Sequence, residues 1–69
     1  MMGATYKIIE LFGTSQTSYE DAIGSAVTEA SKTLHDLKWF EVAELRGGIE
    51  NGKVTEYQAK VKIAFKIKK

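Results

Sequence analysis

The chain has 69 residues, ten Lys and Arg against nine Asp and Glu for a formal charge of +1, no cysteine and one histidine. A chain this short makes one domain, expected over residues 1–69, and buries too little of its unfolded surface to be comfortably stable alone; with disulfides, thiolate sites and a histidine cage all excluded, oligomerisation is the staple that remains. The balanced charge gives no field that selects nucleic acid or an anionic membrane, no apolar run approaches the ~20 residues of a spanning helix, and the start lacks a signal-peptide core, so a cytoplasmic protein is expected.

Residues 4–12 read as a first strand, apolar on both parities at Ile8, Ile9, Leu11 and Phe12 and therefore expected to be covered on both faces. Gly13-Thr14-Ser15-Gln16 reads as a turn. It leads into a helix start at which either Thr17 with Glu20 or Ser18 with Asp21 has the spacing of a capping box. Tyr19, Ala22, Ile23, Ala26, Val27, Ala30 and Leu34 recur at three- and four-residue spacing. They form the apolar stripe of a helix of roughly four to five turns. The stripe is poor in bulk, so a sheet can close tightly on it, and Lys32 and His35 lie near its end, where positive charge suits the helix dipole.

Trp39-Phe40-Glu41-Val42-Ala43-Glu44-Leu45-Arg46 reads as the next strand. Phe40 and Val42 share the core face, which turns Trp39 and Glu41 outward. Leu45 falls on the wrong parity for the core. Either one extra residue between Val42 and Leu45, a β-bulge, returns it to the core side and puts Glu44 and Arg46 outside with Trp39, or there is no bulge and a neighbouring subunit covers the second face. Asn51-Gly52 is the strongest local signal, a type I′ hairpin turn. After it Thr55, Tyr57, Ala59, Val61, Ile63, Phe65 and Ile67 alternate with Glu56, Gln58, Lys60, Lys62, Ala64, Lys66 and Lys68, as in a half-buried antiparallel strand. The fold class is therefore α+β, a βαββ chain with a three-stranded antiparallel sheet wrapped around one amphipathic helix.

No catalytic constellation is present. His35 beside Asp36 reads as a helix-end residue with no serine partner, and Gly47-Gly48 opens no helix and so makes no phosphate loop; a sheet bend or close approach by another chain explains it better. Lysines 60, 62, 66 and 68 read as a solvated strand face that discourages edge pairing, and carboxylates 41, 44, 50 and 56 as surface acids with no metal site assigned. Trp39 is either the filling of a subunit contact or a plate for ligand stacking. Arg46 offers a fork for phosphate or carboxylate, and Gln58 a donor and an acceptor for a heteroaromatic edge. Counting back from the turn pairs Glu50 with Lys53 and places Gln58 near Leu45 or Glu44, roughly 15–20 Å along the strand from Trp39. One ligand touched by both therefore lies between subunits.

Tyr6-Lys7, Gly13-Thr14-Ser15, Ser18-Tyr19, Trp39-Phe40-Glu41-Val42, Arg46-Gly47 and Tyr57-Gln58, in this order and spacing, resemble the dodecins over essentially the whole chain. The resemblance implies a βαββ protomer in a hollow homododecamer that stores or buffers flavins and is not an enzyme. It makes Trp39 the residue that stacks on one of a pair of flavin rings, Gln58 a hydrogen-bond partner of the ring, and Arg46 a contact near the ligand or its phosphate. Lys66 stands where some members use an arginine toward phosphate-bearing ligands, coenzyme A included, and it keeps the charge without the planar fork. FMN, riboflavin and lumichrome are the ligands implied. The competing readings are a flavin-dependent reductase, against which stand the missing nicotinamide loop and general acid, and a structural assembly that binds coenzyme A or metal ions without a flavin role.

Overall fold

In the computed structural model the described residues are 3–68, so Met1, Met2 and Lys69 of the expected 1–69 domain lie outside them. The order is β1 (Tyr6–Ser15), α1 (Tyr19–Ser31), β2 (Leu37–Glu50) and β3 (Lys53–Lys66). The three strands form one antiparallel sheet in the order β1-β3-β2, with β3 in the middle. This is the expected α+β, βαββ topology.

β1 runs past the expected turn at Gly13-Thr14-Ser15, because these residues continue the ladder opposite Ala59, Gln58 and Tyr57. Gly13 belongs to the strand for a packing reason. A Cβ there would run into the Ala22 carbonyl oxygen and come within 2.9 Å of Ala26. α1 begins at Ser18, whose Oγ accepts from the Asp21 backbone N–H at 3.0 Å, which selects the second of the two capping spacings. Asp21 does not return to the cap. Its Oδ2 accepts instead from Ser15 Oγ at 2.8 Å and ties the end of β1 to the helix start. The helix is 13 residues long and so ends about a turn sooner than its stripe suggests. Leu34 still packs on the core from beyond the helix, and Asp36 then takes φ 61°, the left-handed conformation that turns the chain into β2.

Ala22, Ala26 and Ala30 bury the small side of α1 against Ala59, Val61 and Ile63 of β3, with Ile9 and Leu11 of β1 alongside. The helix lies over β1 and β3 and barely reaches β2. Phe40, Val42 and Leu45 consequently stay exposed although they point to the helix side. Val42 pairs with Val61 and Glu44 with Lys60, so Ala43 is the extra residue of the bulge, and Leu45 faces Ala59 on the core side. Positive φ at both Asn51 and Gly52 matches the type I′ turn. Of the two explanations for Gly47-Gly48, the close neighbour is β3 itself, since a Cβ on Gly47 would lie 2.8 Å from the Glu56 carbonyl oxygen.

Candidate ligand-binding site

The sheet face away from α1 carries the four candidate residues. In register across β1, β3 and β2, Ile8, Ala64 and Trp39 form one row on this face. Tyr6 leans on the indole from the next row, with ring centroids 4.8 Å apart at 59°. Ala64, expected among the outward polar positions, is fully buried between these side chains. Trp39 itself remains 49% exposed, a broad aromatic surface supported along one side. Lys66 is opposite Tyr6 at this end of the sheet. It borders a groove of about 370 Å³ shared with Thr5, Asp36 and Lys68.

Arg46 and Gln58 stand at the other end. The expected register placed Gln58 near Leu45 or Glu44, whereas it pairs with Arg46, because a shift between Gly48 and Ile49 adds one residue, Thr55, on the β3 side. Arg46 Nε donates to Gln58 Oε1 at 2.6 Å, and Gln58 Nε2 donates to Glu56 Oε1 at 2.7 Å. The Arg46 guanidinium lies 4.3 Å from the centroid of the Phe12 ring, a cation–π contact. Glu44, two residues before Arg46 on the same face, lies 3.9 Å from Lys60. Trp39 lies opposite Ala64, six residues along β3 from Gln58. That is roughly 20 Å at the rise of a strand. One chain joins Arg46 to Gln58, sets Trp39 and Lys66 toward the other end of the same face, and holds the two ends apart.

Sequence reasoning missed Tyr6, Phe12 and Glu56 in these clusters. The signal was the parity of β1, on which Tyr6, Ile8 and Phe12 share a face; it becomes a location only once β1 is known to pair with β3. The lysines at 60 and 62 are flanked by acids, with Lys62 3.9 Å from Glu10, so this part of β3 is an ion-paired face and not a basic stripe. Among the described residues no group of three or more His, Cys, Asp or Glu could hold a metal ion within one chain. No helix among them is long and apolar enough to cross a membrane.

The family model described as Dodecin matches residues 5–68. The chain belongs to the dodecin family. It is 47% identical over 66 residues to the dodecin of Thermus thermophilus, an alignment covering 96% of each. A solved dodecin from Streptomyces coelicolor superimposes with a TM-score of 0.94 at 42% identity, covering 100% of this chain and 99% of that one. The calcium dodecin of Mycobacterium tuberculosis is 35% identical over 66 residues, covering 94% of this chain and 92% of that protein.

Proposed function

We propose that this dodecin sequesters, stores or buffers flavins, FMN, riboflavin or lumichrome, as stacked pairs between the subunits of a cytoplasmic homododecamer, and that it is not an enzyme. The single dodecin domain of residues 1–69 presents Trp39 for stacking, Gln58 for hydrogen bonding to the ring, and Arg46 and Lys66 for a phosphate. The observation that carries this reading is the separation of two half-sites on one exposed face. An indole plate stands at one end and an amide with a guanidinium at the other, so a ring resting on Trp39 meets Gln58 only when another copy supplies it. A ring closed between subunits in this way leaves little room for a hydride donor, which supports binding over catalysis.

Replacing Trp39 tests the proposal. Aromatic pairing is worth about 0.5–1.5 kcal/mol beyond area burial, and two tryptophans would act on each stacked pair. Trp39→Ala is therefore expected to assemble normally while losing about tenfold or more in riboflavin affinity, since ~1.4 kcal/mol is a factor of ten. Riboflavin titrated into ligand-free native protein should lose its fluorescence, because indole donates an electron to the excited ring, and the variant should quench less. Unchanged quenching and affinity would reduce Trp39 to packing. Calcium dodecin, the Mycobacterium tuberculosis relative, supports the metal-ion half of a second reading, an assembly that binds metal ions or coenzyme A without flavin, with cation ligands drawn from more than one chain. Chromatography and metal analysis of what is released from protein purified from its native host separate the two.

A further inference from the structure

The hydrogen-bonded row on the outer face contains one carboxylate that the site described so far does not use. Gln58 Oε1 accepts from Arg46 Nε at 2.6 Å, and Gln58 Nε2 donates to Glu56 Oε1 at 2.7 Å. Turned by half a rotation, the amide would aim its N–H groups at the guanidinium and its oxygen at the carboxylate, so the two charged neighbours permit one orientation only. Glu56 is free to lie along the strand because Gly48 is its cross-strand partner. A Cβ at Gly48 would already stand 3.7 Å from that of Glu56, and a longer side chain would compete for the same space. Glu44 and Glu10 face lysines, whereas the Glu56 carboxylate is turned to an amide.

We propose that Glu56 is a positioning residue for ligand binding: with Arg46 it fixes the Gln58 amide so that one Oε1 lone pair and one Nε2 hydrogen are left, in a set order, for a planar heterocycle carrying an adjacent N–H and C=O. The inference rests on the flavin reading and deepens it by giving Glu56 the task of holding the Gln58 amide in one orientation toward the ring.

The test compares riboflavin with 3-methylriboflavin, whose imide nitrogen carries a methyl group in place of hydrogen, by fluorescence titration of the assembled native protein, Glu56→Gln and Glu56→Ala. Native protein is expected to prefer riboflavin by about tenfold, the worth of one hydrogen bond. Both variants should lose about threefold or more of that preference while binding the methylated flavin within about twofold of native, as expected of coupled partners. Equal weakening of both flavins, with the ratio kept, overturns the inference, because that is what a merely structural role would do. Native protein that binds both flavins equally well also overturns it and leaves the flavin reading standing. Native protein that binds neither overturns both.

Discussion

Under the proposed function, Arg46 is one side chain asked to serve two ends of a ligand. Its guanidinium has five N–H donors, of which the Nε–H is given to Gln58, while the flat face rests on Phe12. The four Nη hydrogens remain for an anion. Arg46→Ala is therefore expected to weaken riboflavin severalfold, through the loosened amide, and FMN by a further factor of about ten, since a hydrogen bond to a charged group is worth about 1.5–3 kcal/mol. Titration of both ligands checks this, and equal losses would confine Arg46 to positioning. At this scale residue type and parity singled out Trp39 and Gln58, Arg46 joined their face only through the bulge that the structure places at Ala43, and Lys66 came from the resemblance to the dodecins. Their partners were not legible. Glu56 reads as one surface acid among several until Gly48 is known to leave the space beside it empty, and Phe12 reads as core until β1 has a register.

Among the elements, α1 and the strand it touches are matched by the smallness of both. Gly13 admits the Ala22 carbonyl where a methyl would stand, and Ala22 and Ala26 keep the helix surface flat. Gly13→Ala should destabilise the protein by about 1–3 kcal/mol, the usual result of overpacking, seen as a lower midpoint in denaturant with assembly retained at low concentrations of it. An unchanged midpoint would mean that helix and strand separate without cost. The hairpin, the alternating β3 and the bulge at Ala43 were readable because each is local, set by a turn dipeptide or by a break in parity. The end of α1 was not readable, since Leu34 keeps the stripe's phase after the helix has stopped. The extent of β1 was hidden for a related reason, because Gly-Thr-Ser looks like a turn wherever no partner strand is in view.

For the whole molecule the decisive quantity is how little one chain buries. Val61 and Ile63 are the only large side chains fully buried among the described residues. Tyr6, Ile8, Phe12, Trp39, Phe40 and Leu45 remain 40% exposed or more, with Ile49 at 76% near the hairpin tip. Each such side chain contributes about 1.5–3 kcal/mol when it is covered. Light scattering at micromolar concentration is expected to give a mass near that of twelve chains, and a monodisperse monomer or dimer would overturn the assembly. Length and composition already pointed to partners, because a chain without cysteine or a metal cage has few other ways to be stable. Which apolar surface a lone chain leaves uncovered became clear only when α1 was seen to stop short of β2.

The strand order also carries a consequence in time. β3 stands between β1 and β2, so Tyr6 waits for Lys66 and Ser15 for Tyr57. During synthesis at about 5–20 residues per second, β2 and β3 can zip from Asn51-Gly52 as soon as both exist, whereas β1 has been without its partner for a period on the order of seconds. Pairings so distant along the chain are slow to close. The nascent chain therefore passes through an interval in which a strand apolar on both faces is exposed to whatever else is present, its own copies included.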